Sequence, residues 1–90
     1  MRYLVTYDIA SHRVRYRVAK CLLGYGERVQ KSVFECQLRT GQAREMAGQL
    51  ERLALAEDDS IRIYAWGERG GEVQVIGSET ARPEEEWFVV

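Results

Sequence analysis

Residues 28–38 read RVQKSVFECQL. Phe34, Cys36 and Leu38 alternate along it and give one apolar face, as a half-buried strand requires. Its continuity decides the fold. As one unbroken strand it leaves the chain order strand–helix–strand–helix–strand–strand. Broken near Ser32, it supplies a hairpin, and the order becomes strand–helix–strand–strand–helix–strand with a short strand to follow.

Upstream, residues 2–9 (RYLVTYDI) are rich in β-branched and aromatic types and apolar on both alternating faces, the pattern of a central strand covered on both sides. Ser11 is placed to cap a following helix. Val14, Val18, Cys21, Leu22 and Tyr25 recur at helical spacing, and Gly24 and Gly26 are expected to stop that helix in the left-handed conformation. Downstream, Thr40 opens a second helix with Ala43, Met46, Ala47, Leu50, Leu53 and Ala54 as its buried stripe. Glu57–Asp59 reads as a turn, residues 60–66 (SIRIYAW) as an alternating strand, and residues 72–76 as a short strand after a glycine-rich turn.

With the break near Ser32, the pattern predicts an α+β, ferredoxin-like βαββαβ sandwich. Two right-handed crossovers then stack both helices on one face of a four-stranded antiparallel sheet. Residues 1–77 form that domain. Residues 78–90 are expected to be a linker and a C-terminal edge strand ending in Trp87, Phe88, Val89 and Val90, docked on the sheet of a dimer partner. The open, partly apolar sheet face also points to a homodimer.

Charge is divided unevenly. Residues 1–53 carry ten Lys/Arg and five Asp/Glu, whereas residues 54–90 carry three and nine, so a basic first half hides within a net charge of -1. A basic half can meet a polyanion, and it can also be only a solvated surface. No stretch approaches the ~20 apolar residues of a membrane span, and Cys21 and Cys36 belong to no zinc-ligand spacing. The expectation is a cytoplasmic protein with reduced thiols and no membrane association.

Asp8 ends the first strand, and Arg13, Arg15 and Arg17 follow at once. The aspartate admits two readings, a turn or cap residue or a metal ligand. One carboxylate per chain makes a poor magnesium site. Two copies brought together by a two-fold axis make a better one, because Mg²⁺ is held by one or two carboxylates and several waters. The planar guanidinium fork suits phosphate oxygens. Arg28 begins the 28–38 stretch. Phe34 reads either as core or as packing near a site, and Tyr7 either as a buried sheet tyrosine or as ligand support. His12, the single histidine, reads as a surface residue or a catalytic one.

The segments YLVTYDI, GYGERVQKSVFECQL and DSIRIYAWG together resemble the CRISPR-associated protein 2 family over most of residues 1–77. The resemblance implies a homodimer with swapped C-terminal strands and a magnesium-dependent endonuclease acting on RNA or DNA. It also implies a partnership with the CRISPR spacer integrase. By position it implies that Asp8 is the metal ligand shared between subunits, and that Tyr7, Arg15, Arg17, Arg28 and Phe34 serve activity. Where many relatives carry further acids after YDI, this chain has Ala10, Ser11 and His12. A non-catalytic, dimeric DNA-binding adaptor that scaffolds the integrase is the alternative function, and a toxin-like ribonuclease a third.

Overall fold

A computed structural model describes residues 1–53, 55–66 and 73–78. Its elements run β1 (Arg2–Asp8), α1 (His12–Leu23), β2 (Gly26–Gln30), β3 (Val33–Gln37), α2 (Thr40–Glu51), β4 (Ser60–Trp66) and β5 (Val73–Gly77). The expected edge strand at residues 87–90, residues 79–86 of the linker before it, the glycine-rich turn with Glu72, and Ala54 lie outside the described residues.

The 28–38 stretch is broken. Lys31 and Ser32 form the turn, and Phe34 folds back to pair with Arg28 while Val33 pairs with Gln30. The register shifts at Val29, an irregularity that bends this edge strand. The hairpin gives the βαββαβ order, and the sheet order is β2-β3-β1-β4-β5 with every described pairing antiparallel. The fold is ferredoxin-like α+β, and β5 adds a fifth strand beside β4.

β1 lies mid-sheet, paired along its length to β4 and over Arg2–Thr6 to β3. Its odd-numbered side chains enter the helix-covered core. Val5 sits opposite Phe34 and Ile63, and Tyr7 opposite Ile61. Val18, Ala19 and Leu22 of α1 and Met46, Ala47 and Leu50 of α2 close that core from one side. Phe34 is fully buried at its centre. The other face carries Leu4, Thr6, Val33, Arg62, Tyr64 and Val75.

Local stop signals differ in part from expectation. Ser11 does cap α1, its Oγ accepting from the Val14 N–H at 3.3 Å. Gly24 ends the helix in the right-handed region, with φ -76°, its N–H bonded to the Cys21 carbonyl. A tightened last turn satisfies that carbonyl, so no left-handed residue is required there. Gly26 serves a different purpose. It lies in β2 against Glu35 and Cys36, and a Cβ would strike the Glu35 carbonyl and the Cys36 backbone. Gly26→Ala must therefore push β2 from β3, and a loss of about 1–3 kcal/mol is expected, measured by urea denaturation.

Both cysteines are free thiols. Cys36 is fully buried, and burial, reinforced by the negative charge of Glu35 and by Cys21, pushes its pKa up to about 11 from 9.0. The folded state thus favours the neutral thiol. That contribution is complete below pH 9 and is lost as the pH climbs through 11. The stability of Cys36→Ala should fall less steeply than that of the parent chain between pH 9 and 11, as read by denaturant midpoints across a pH series.

Candidate functional site

Asp8 is the last residue of β1, paired with Ser60 and exposed at the rim of the sheet. The Tyr7 N–H donates to the Ser32 carbonyl at 3.2 Å, which carries the sheet contact into the β2–β3 turn. Three connections converge at this end: residues 9–11, Lys31–Ser32, and residues 55–59 ahead of β4. A strand's alternation separates neighbouring side chains. Tyr7 belongs to the helix-covered face, and Asp8 follows Leu4 and Thr6 toward the helix-free one.

The residues singled out in the sequence fall into four groups. Tyr7, Phe34 and Arg28 stack on the helix side. The Tyr7 and Phe34 rings are 6.3 Å apart and tilted by 31°, and the Arg28 guanidinium lies 5.3 Å from the Phe34 centroid. Such a cation over a ring is held by the ring's quadrupole. Asp8 stands apart from this stack, across the sheet. Arg13 and Arg17 are exposed on α1, which contains no acidic residue.

Arg15 is half-buried and engaged. Its Nη1 donates to the carbonyls of Ile9 and Ala10, both at 2.9 Å, and its Nη2 lies 3.4 Å from Nδ1 of His12. The guanidinium fork spans the loop that leaves Asp8. Bonds from a charged donor to backbone oxygen contribute about 1.5–3 kcal/mol. His12 is exposed and lies at the edge of this contact.

Asp59 is the residue that the sequence reading passed over. In the run Glu57-Asp58-Asp59 it is only 2% exposed, whereas its two neighbours are exposed. Its carboxylate accepts from the Ala10 N–H at 3.1 Å and from the Ala56 N–H at 2.9 Å. The single available signal is position: it is the last acid before an alternating strand, where a side-chain oxygen can close a turn.

Among the described residues, no group of three or more His, Cys, Asp or Glu side chains converges on a point. At the end of β1 itself the chain offers one hard carboxylate, Asp8, with the exposed Glu57 and Asp58 in a neighbouring connection. That chemistry suits half of a magnesium site, the ion accepting few protein oxygens and retaining waters. Asp8 is the residue that would contribute it.

Residues 1–72 match the family described as CRISPR associated protein Cas2. The chain belongs to the Cas2 family. A CRISPR-associated endoribonuclease Cas2 of Synechocystis is 44% identical over 62 residues, 69% of this chain and 67% of the relative. One from Chloroflexus aurantiacus is 46% identical over 65 residues, covering 71% and 70% respectively. The crystal structure of Streptococcus pyogenes Cas2 at pH 6.5 superposes with a TM-score of 0.69 at 36% identity, covering 76% of this chain and 88% of that one. Among the described residues, no helix is long and apolar enough to cross a membrane.

Two of the three arginines of α1, Arg15 and Arg17, can be told apart by stability. Arg15→Ala frees the Ile9 and Ala10 carbonyls and should cost about 1.5–3 kcal/mol. Arg17→Ala, at an exposed position, should stay within about 0.5 kcal/mol of the parent. Urea denaturation of both variants checks the contrast.

Proposed function

We propose that this Cas2 chain is a magnesium-dependent endonuclease. It works as a homodimer that hydrolyses phosphodiester bonds of RNA or DNA, beside the spacer integrase of a CRISPR system in the cytoplasm. One observation carries the reading: each chain presents a single exposed carboxylate, Asp8, at the end of its central strand and toward its helix-free face. A two-fold axis between such faces turns one ligand per chain into two. The endoribonuclease names of the relatives support the chemistry, and the half-buried apolar residues Leu4 and Val75 on that face are compatible with pairing through it.

In this reading the two Asp8 carboxylates would hold Mg²⁺, which when bound polarises a phosphoryl oxygen and acidifies water. The chain's own residues do the rest. Arg17 and Arg13, exposed on an acid-free helix, take phosphate oxygens and orient the strand. Arg28, fixed over Phe34, adds positive charge at the β2 edge. Arg15 holds the loop after Asp8, and Tyr7 and Phe34 shape the strand end beneath it.

The exposed arginines of α1 favour a second reading, the non-catalytic adaptor that grips duplex phosphates and bridges integrase subunits. Cleavage separates the two. On the nuclease reading, Asp8→Asn remains dimeric by light scattering and loses cleavage by at least about 100-fold, the scale of a general acid–base or metal contribution, as does the parent in EDTA. Undiminished cleavage by Asp8→Asn refutes the nuclease reading. Magnesium-independent duplex binding that weakens steeply with salt, and is lost in Arg13→Ala/Arg17→Ala, identifies the adaptor.

A further inference from the structure

The loop that leaves Asp8 is held at one residue from two sides. The Ala10 carbonyl receives Arg15, and the Ala10 N–H donates to Oδ1 of Asp59, 49 residues away. Ala10 is itself exposed, and its N–H lies outside every described ladder pairing. Asp59, by contrast, is almost wholly buried. Its Oδ2 fixes the Ala56 N–H, its own N–H donates to the Ala56 carbonyl at 3.1 Å, and its carbonyl accepts from Ser78 at 2.8 Å. Gly77, at φ 96°, lies so close that a Cβ would strike the Asp59 carbonyl. The carboxylate is thus fixed through its own backbone, at the junction of the turn before β4 and the end of β5.

From this we infer that Asp59 is a positioning residue for Asp8. It fixes Ala10, and through it the exit of β1, so that the Asp8 carboxylate is presented at one place and angle. A buried carboxylate is costly unless it is hydrogen-bonded, and Ala10, exposed beyond the buried Ile9 and outside the strand pairing, is tied by that bond. Each meets the other's need. The arrangement resembles in kind the outer contacts that orient metal ligands, whose loss typically weakens metal binding or activity about 10–100-fold. The inference rests on the reading of Asp8 as the metal ligand.

The test uses the full-length, ¹⁵N-labelled protein. In the parent, the Ala10 amide should be protected from hydrogen exchange despite its exposure, and an unprotected Ala10 amide overturns the inference without any variant. In Asp59→Ala, Ala10 exchange should quicken while Val5 and Phe34 keep their protection, and the Mg²⁺ concentration for half-maximal cleavage should rise about tenfold. Ile63→Val, a mild core deletion at mid-sheet opposite Val5, should lower stability and leave the Mg²⁺ requirement unchanged. An unchanged Mg²⁺ requirement in Asp59→Ala, with Asp8→Asn inactive, refutes the positioning role alone. Full cleavage by Asp8→Asn overturns both this inference and the nuclease reading. Gly77→Ala, which drives a methyl into the Asp59 carbonyl, should reproduce the faster Ala10 exchange from 67 residues away, and normal Ala10 protection in a folded Gly77→Ala counts against the link.

Discussion

A strand in the middle of a sheet can send only every second side chain to each face, and β1 is held to that rule on both edges. Its hydrogen bonds to β3 and β4 fix the register from Arg2 to Thr6 on one side and from Arg2 to Asp8 on the other. A slip of one residue would carry Val5 and Tyr7 out of the helix-covered core and bring Thr6 and Asp8 into it. The buried partners of Val5, Phe34 and Ile63, forbid the slip. The same pairing that packs the core therefore delivers Asp8 to the helix-free side. Fold stability and the placing of the acid are one constraint.

That constraint ends where the ladder ends. Beyond Asp8 the backbone must turn into α1, and no strand pairing instructs it how. Arg15 and Asp59 take over there, one donating to carbonyls and the other accepting an N–H at the same residue. Their opposite charges reach a single peptide segment from α1 and from the start of β4. This accounts for an arginine in the first turn of a helix, where the macrodipole disfavours positive charge: its guanidinium bonds back to loop carbonyls. Of the three closely spaced arginines, the one that the structure engages is the one with the least free charge to offer a ligand.

Most of the fold was legible from periodicity. β1, β4 and both helices carry strong patterns, and the helix stripes at Val18, Leu22, Met46 and Leu50 are the ones buried. The β2–β3 turn was legible only through topology, because Lys31-Ser32 contains neither glycine nor proline. Nothing local distinguishes it from a strand with two polar residues. Asp8 was legible because a carboxylate that closes an apolar run is rare. Asp59 was not, since its partner Ala10 has no side-chain chemistry to advertise and lies in another part of the chain. The engagement of Arg15 was hidden for a related reason, as its acceptors are backbone oxygens that the sequence does not spell out.

The division of charge takes on meaning once the sheet is in place. Six of the ten basic residues of the first half lie in α1, β2 and the β2–β3 turn. Of the five acids in that half, Glu27 shares β2 with Arg28, and Glu35 pairs with Arg2 at 3.1 Å. Exposed pairs of this kind contribute little to stability, so their effect is chiefly to neutralise. Arg13 and Arg17 remain exposed on α1, while Asp8, exposed at the end of β1, belongs to no group of three or more potential metal ligands among the described residues. Phosphate attracts the former and repels the latter. Under the proposed function, a divalent cation held by Asp8 is what makes both sets of residues compatible with one phosphate ligand.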